Sequence, residues 1–175
     1  MILQKSNQKI AIIDANNFYV SCERLFRPDL QMTPTAVLSN NDGCFIARSQ
    51  EVKSMGVGMG EPVFKLEDSK KSKIKMFSSN YALYGDMSDR IVSILKRLVP
   101  KVEVYSIDES FLDLSHISDD NLLSEIKMIR STIQRLTGIP VSIGVAPNKT
   151  LAKLCNHISK TVPEFENCCS YFHTD

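Results

Sequence analysis

Apolar and polar residues divide the first half of the chain into short segments. The continuous apolar run within Lys9–Asp14 predicts a central strand, because a strand covered on its faces loses the usual alternation. Further segments follow in the order of a short helix, a short strand and a second helix: Asn16–Leu25, Thr35–Leu38 and Phe45–Met55.

The second half of the chain has clearer periodicity. Apolar residues recur at helical spacing before Pro100, and a long apolar stripe runs from Leu122 to Leu136, where Asp119 or Asp120 caps the start and Gly138 ends the helix. The predicted elements in this half are a helix at Asp86–Leu98, strands at Val102–Ser106 and Phe111–Leu114, the long helix, a strand at Val141–Val145 and a helix at Asn148–Lys160.

Without the stretch from about Val20 to Ser79, the order of elements becomes strand, helix, strand, strand, helix, strand, helix. The first six of these match the ferredoxin-like split βαβ arrangement. The pattern therefore predicts an α+β fold in which a ferredoxin-like domain carries a small inserted subdomain.

This topology brings three carboxylates together. Asp14 ends the first strand, and Asp108 with Glu109 lies in the turn that opens the third strand, which runs antiparallel beside the first. Clustered carboxylates repel unless a cation lies among them, and Mg²⁺ prefers oxygen ligands. Two such ions, roughly 4 Å apart, would suit phosphoryl transfer. The pattern alone leaves open that these are ordinary turn and strand-end carboxylates that face water.

Composition limits the classes of function. The net charge of +1 is not that of an autonomous, strongly basic nucleic-acid-binding module. The local lysine cluster is compatible with a solvated face or with contacts to a DNA backbone: Lys65, Lys70, Lys71, Lys73 and Lys75. The five cysteines are odd in number and lack CxxC spacing, which favours reduced thiols over a disulfide framework.

The sequence predicts a cytoplasmic protein with no membrane association. No apolar run approaches the roughly 18 residues that span a bilayer. The segment that begins at Met1 also lacks the apolar core of a signal peptide.

Five segments, in the same order, resemble the Y-family of DNA polymerases, and specifically its UmuC branch. Together they cover nearly the whole chain, which makes the resemblance much more specific than any one of them. The segments are Asp14–Glu23, Leu38–Arg48, Phe77–Ser88, Tyr105–Phe111 and Gly144–Lys153.

The resemblance implies a polymerase palm formed by residues 1–20 and 80–175, with fingers at 21–79. It implies template-directed DNA synthesis past lesions in the DNA damage (SOS) response, by nucleotidyl transfer with two Mg²⁺ ions. Primer-template DNA and a dNTP would be the substrates. UmuD-type subunits and a recombinase filament are the protein partners that it suggests.

The resemblance also implies roles for individual residues. Asp14, Asp108 and Glu109 match the catalytic metal-binding carboxylates, with the Ala15 carbonyl as a further ligand. Four more positions match nucleotide-binding residues: Tyr19 as a steric gate against the ribose 2′-OH, Phe18 with nearby backbone amides as a triphosphate cradle, and Lys160 and Arg48 as phosphate contacts.

The chain departs from the family pattern in the fingers. Many members have a tyrosine and, three residues later, an arginine that contact the incoming phosphates, whereas this chain has Gln50 and Lys53. Lysine keeps the positive charge but lacks the bidentate geometry of arginine. The substitution is expected to be a feature of the UmuC branch, with Lys53 as a nucleotide-binding residue.

The length of 175 residues leaves no room for the thumb and little-finger domains of family members, so the sequence is expected to be an expression fragment or a natural truncation. Two alternatives to a working polymerase core follow. One is a catalytically inactive truncated form that binds partners or competes with the full polymerase. The other is a nucleotide cyclase of related fold, against which the Phe18–Tyr19 pair and the fingers segment argue.

Overall fold

The computed structural model describes residues 8–172, which form two compact units. The first unit comprises residues 8–16 and 88–172, and the second comprises residues 17–87. The N-terminal segment used in the signal-peptide argument and the last three residues of the predicted palm lie outside the described residues. Within residues 8–172, no helix has both the length and the apolar character needed to cross a bilayer.

The strands and helices follow one another along the chain as β1 (Ile10–Ala15), α1 (Phe18–Leu25), β2 (Thr35–Leu38), β3 (Phe45–Arg48), α2 (Gln50–Ser54), α3 (Asp68–Lys71), β4 (Lys75–Ser78), α4 (Tyr81–Leu98), β5 (Val102–Val104), β6 (Glu109–Asp113), α5 (Asp119–Thr137), β7 (Val141–Ala146), α6 (Lys149–Thr161) and β8 (Cys168–Ser170).

The first unit contains a five-stranded sheet in the order β5-β6-β1-β7-β8. β1 is antiparallel to both of its neighbours, and β5 is antiparallel to β6, so β1 and β5 run in the same direction. This order confirms the predicted α+β class and the ferredoxin-like arrangement. The sequence pattern missed β8, a three-residue strand that pairs in parallel with β7.

Helix α5 packs its apolar stripe on this sheet. The predicted stripe is confirmed from Leu122 to Ile133, since Leu122, Ile126, Ile129 and Ile133 are fully buried, whereas its last member, Leu136, is exposed. The predicted caps are wrong by one or two residues: the N-cap is Ser118, and Asp119 and Asp120 lie in the first turn. Gly138 ends the helix with φ 74°, a left-handed conformation that glycine adopts without steric cost.

The second unit contains a three-stranded sheet in the order β3-β2-β4. β2 is antiparallel to β3 and parallel to β4. The parallel pair requires a crossover connection, which the short helices α2 and α3 supply. The core of this unit is built from Ala36, Leu38, Phe45, Val52, Val57, Leu66 and Ile74.

The predicted helix at Phe45–Met55 is wrong in its first half, which forms strand β3. Phe45 and Ala47 are buried while Ile46 and Arg48 are half-buried, so the side chains alternate with a strand period of two. The helix starts only after Ser49, whose hydroxyl accepts hydrogen bonds from the Val52 and Thr35 amides at 3.4 and 3.1 Å. The cap and the pairing with β2 therefore override the helix-like apolar spacing.

The helix predicted at Asp86–Leu98 begins five residues earlier, at Tyr81. The Asn80 side chain accepts a hydrogen bond from the Leu83 amide at 3.2 Å, which satisfies one of the free donors of the first turn. The sequence pattern did not predict these first residues, because Gly85 lies among them and glycine in a helix interior is unfavourable by roughly 0.5–1 kcal/mol relative to alanine.

Close packing of α6 on β7 depends on Gly144. All six residues of β7 are buried, and α6 starts where the Asn148 side chain accepts from the Leu151 amide at 2.9 Å. A Cβ atom added at Gly144 would lie 2.1 Å from the Asn156 amide nitrogen and 2.4 Å from the Ala152 carbonyl oxygen. Both neighbours are backbone atoms of α6, so a larger residue would force the whole helix away from the sheet.

Gly144→Ala is therefore expected to lower the free energy of unfolding by about 3 kcal/mol or more, the upper end of the range for overpacked cores. The measurement is urea unfolding followed by circular dichroism. Gly85→Ala is the matched control, because a Cβ there meets nothing within 4 Å. That variant should be neutral or more stable by up to roughly 1 kcal/mol. Equal stability of wild type and Gly144→Ala would contradict the packing argument.

Candidate active site

Three carboxylate residues lie at one edge of the sheet in the first unit. Asp14 in β1 is directly opposite Glu109 in β6, and the Ala15 amide donates a hydrogen bond to the Asp108 carbonyl at 2.9 Å. The structure therefore brings Asp14, Asp108, Glu109 and Ala15 together, as the topology of the sheet had predicted. Their role as metal ligands stays a prediction.

A tight turn fixes the orientation of the two consecutive carboxylates. The amides of Tyr105 and Ser106 both donate to the Glu109 carbonyl at 3.0 Å. The Ser106 hydroxyl donates to an Asp108 carboxylate oxygen at 2.7 Å and accepts from the Glu109 amide at 3.0 Å. A single small side chain thus ties the Asp108 carboxylate to the backbone of its own turn.

Helix α6 directs two lysines at the carboxylate edge. Lys160 Nζ lies 2.7 Å from an Asp14 carboxylate oxygen, and Lys153 Nζ lies 3.2 Å from a Glu109 carboxylate oxygen. The two lysines are seven residues apart, about two helical turns, so they project from one face of α6. This face carries positive charge to the edge where the negative charges are concentrated.

Burial and the charges of neighbouring side chains shift the pKa of Asp14. Burial raises the pKa of Asp14 above its ordinary value of 3.8, and the charge and hydrogen bond of Lys160 oppose that shift. The negative charges of Asp108 and Glu109 raise the pKa further. The ionised form of Asp14 is thus disfavoured by burial and by the two neighbouring carboxylates, which is the condition that an added cation relieves.

The donor set fits a hard divalent cation, because its side chains and the Ala15 carbonyl all present oxygen. The side chains do not converge on a single point as they stand: among residues 8–172 no group of three or more His, Cys, Asp or Glu side chains is arranged to hold a metal ion. Asp14 and Glu109 face the two lysines instead.

In the second unit, Tyr19 belongs to a cluster of tyrosines. Its ring stacks on Tyr84 at a centroid distance of 4.3 Å and meets Tyr81 edge-on at 6.0 Å. Tyr84 is fully buried and donates a hydrogen bond to Glu23 at 2.8 Å. Stacking on a buried, hydrogen-bonded ring holds the half-buried Tyr19 in one orientation, which is what a steric gate requires.

The start of helix α1 is arranged around Asn17. This residue has a left-handed conformation (φ 49°, ψ 43°), and its side chain does not cap the helix. Asn17 instead accepts a hydrogen bond from Lys53 Nζ at 2.7 Å. The structure therefore places Lys53 at the N-terminus of α1, a position suited to anions. Phe18 is 3% exposed, so its ring is buried and not open to a ligand.

Arg48 is engaged within the second unit. It lies in β3, and its guanidinium donates a hydrogen bond to the Val57 carbonyl. The structure therefore gives Arg48 a backbone partner, and its contact with phosphate stays a prediction. Gln50, the first residue of α2, is exposed to solvent.

Sequence reasoning missed the parts played by Ser106 and Lys153. Ser106 lies two residues before Asp108, a spacing at which serine often binds the backbone of its own turn. Lys149, Lys153 and Lys160 follow the spacing of one helix face, and this was the available signal. The partners of these lysines lie on β5, β6 and β1 and are distant in sequence, so the pattern did not identify them.

Comparisons with known proteins agree with the resemblance. The model of the impB/mucB/samB family matches residues 13–157 of this chain. UmuC of Salmonella typhimurium is 49% identical over 152 residues, which cover 86% of this chain and 36% of that protein. ImpB of the same organism is 46% identical over 159 residues, which cover 89% of this chain and 37% of that protein. The chain thus spans little more than a third of the length of these relatives.

Solved structures show the same likeness. The insertion ternary complex of Dbh DNA polymerase superposes with a TM-score of 0.82 and 26% identity, over 93% of this chain and 48% of that one. The predicted resemblance in fold to the palm and fingers of such polymerases is confirmed. The family model matches most residues of the chain. The chain therefore belongs to the impB/mucB/samB family, a group within the Y-family of DNA polymerases.

Proposed function

We propose that this chain carries the nucleotidyl-transfer site of a translesion DNA polymerase. The observation that carries the proposal is the meeting of Asp14, Asp108 and Glu109 at one sheet edge through the pairing of β1 with β6. Membership of a family that includes UmuC, and the likeness to a DNA polymerase captured as an insertion ternary complex, support the reaction class.

The residues proposed to hold two Mg²⁺ ions are Asp14, Asp108 and Glu109 through their carboxylates and Ala15 through its carbonyl. Such ions, when bound, lower the pKa of an attacking 3′ hydroxyl and neutralise charge on the triphosphate. Ser106 would hold the Asp108 carboxylate in place through its 2.7 Å hydrogen bond. Lys160 would exchange its ion pair with Asp14 for one with the triphosphate.

The second unit is proposed to select the nucleotide. Tyr19, held by its stacking on Tyr84, would reject a ribose 2′-OH on steric grounds. The backbone amides at Phe18 and Tyr19 and the ammonium of Lys53 would attract phosphate oxygens. Arg48 would add to this positive potential while its hydrogen bond to Val57 fixes the loop at Gly56–Gly60.

The proposed domain assignment is a palm at residues 1–20 and 80–175 and fingers at 21–79. The two compact units support it in outline, although they divide at 16/17 and 87/88, so that Phe18 and Tyr19 fall in the second unit. Primer-template DNA and dNTPs are the proposed substrates, and UmuD-type subunits and a recombinase filament are the proposed partners. The proposed setting is the SOS response in the cytoplasm.

Magnesium-dependent nucleotide binding tests the proposed site directly. A non-hydrolysable dNTP titrated into the chain with Mg²⁺, followed by calorimetry, is expected to bind. Asp108→Asn is expected to weaken binding by at least about 100-fold, since even indirect supporting partners of a metal cost about 10–100-fold. Asp113→Asn is the matched control. Asp113 also lies on β6, but at the opposite end of the strand, where its carboxylate pairs with Lys101 at 3.2 Å.

Metal-independent binding, or equal losses in the two variants, would argue against the carboxylate site. No binding by the wild-type chain would refute the proposal that these residues form a working site. Release of a cyclic nucleotide from an NTP without template would point to a cyclase instead.

Discrimination between sugars tests Tyr19. Tyr19→Ala is expected to reduce the ratio of ribonucleotide to deoxyribonucleotide dissociation constants by about tenfold or more, because rejection of one hydroxyl is worth up to about 100-fold. The ratio is measured with matched non-hydrolysable rNTP and dNTP. Tyr19→Phe keeps the ring and should keep the wild-type ratio. An unchanged ratio in Tyr19→Ala would exclude the gate role.

A further inference from the structure

We infer that Lys153 is a resident counter-cation of Glu109, which competes with divalent metal and lowers the metal affinity of the carboxylate edge. The inference rests on the proposed function, because it concerns the same site. It adds a residue to that site and assigns the direction of its effect. Lys153 would act through Glu109 and is therefore a positioning residue.

The geometry gives Lys153 two partners that do not depend on one another. Its ammonium lies 3.2 Å from a Glu109 carboxylate oxygen and 4.2 Å from the centre of the Tyr105 ring. Tyr105 in turn meets Phe111 edge-on at 5.3 Å. When Glu109 turns to another cation, the contact with the ring keeps the ammonium beside the carboxylates, so that its positive charge still opposes that cation.

The ion pair is not needed to hold α6 in place. The side chains of Lys153 and Glu109 are 41% and 21% exposed, and pairs this close to solvent contribute little to stability. The helix is anchored by buried residues on its other face, among them Ala152, Cys155 and Asn156. Lys153 can therefore be replaced without loss of the fold, and its effect is expected to appear in the charge balance of the edge.

The charge balance predicts the sign of that effect. Asp14, Asp108 and Glu109 carry three negative charges when ionised, and Lys160 and Lys153 bring two positive charges into contact with two of them. An ammonium at 3.2 Å occupies a carboxylate oxygen and repels an approaching divalent cation. Loss of that charge should thus tighten metal binding, whereas damage to the fold would weaken it.

Lys149 provides a matched control on the same helix. It lies one turn before Lys153, pairs with Glu103 at 2.6 Å and lies 4.8 Å from the centre of the Phe111 ring. It therefore repeats the combination of carboxylate and aromatic ring. Glu103 does not belong to the carboxylate edge, so Lys149→Met removes the same charge from α6 and leaves Glu109 unaffected.

The test measures Mn²⁺ binding to the chain by electron paramagnetic resonance, with thermal unfolding to show that each variant is folded. Lys153→Met is expected to tighten Mn²⁺ binding by about twofold to fivefold, the size expected for loss of one partly exposed ion pair. Lys153→Gln serves as a second neutral variant. Lys153→Arg keeps the charge and should bind as the wild type does, as should Lys149→Met.

Unchanged or weaker Mn²⁺ binding in both neutral variants of Lys153 would overturn the inference, even if Asp108→Asn abolishes binding and so upholds the site. Equal tightening in Lys149→Met would also overturn it, because the effect would then belong to the overall charge of α6. Absence of Mn²⁺ binding in the wild-type chain would overturn both the inference and the proposed function.

Discussion

The register of β1 between β6 and β7 is the constraint on which the candidate site depends. β1 is hydrogen-bonded on both sides, and five of its residues pair with β6, from Ile10 opposite Asp113 to Asp14 opposite Glu109. Successive side chains in a strand point to opposite faces, so a slip of one residue would take Ile12 and Phe111 away from the buried residues that they pack against, among them Ala152 of α6. Burial of apolar residues on β1 therefore fixes, at its end, which carboxylates meet.

The same packing brings positive charge to the edge. Gly144 lets the backbone of α6 approach β7 more closely than any residue with a Cβ would allow. This approach places Lys153 and Lys160 within 3.2 and 2.7 Å of carboxylate oxygens on neighbouring strands. A glycine in the sheet thus acts on the electrostatics of the site through the position of a helix, and a packing requirement becomes a condition for chemistry.

The second unit prepares its residues by similar means. The buried hydroxyl of Tyr84 is tied to Glu23, and the ring of Tyr84 supports Tyr19. Lys53 binds Asn17 at the start of α1, although these two residues are 36 positions apart. Tyr19 and Lys53 are thus held by partners that have no direct part in the proposed reaction, which reduces the cost of ordering them.

Sequence alone determined much of this protein. The apolar run of β1, the stripe of α5 and the capped start of α6 are local signals, since each arises from residues close together in the chain. From the order of these elements followed the ferredoxin-like sheet and the meeting of Asp14 with Asp108 and Glu109. The five segments between Asp14 and Lys153 identified the family, because many matching positions in the same order are far more specific than any single periodicity.

Only tertiary structure decided the rest. Strand β3 has a short apolar run that suits a helix or a strand, and its pairing with β2 settles the choice. Strand β8 has three residues and depends on β7 for its pairing, so it carries no periodic signal of its own. The partners of Lys153 and Lys160 likewise lie 44 and 146 positions away in sequence. Contacts between distant residues depend on how the elements pack, and local pattern contains no record of that packing.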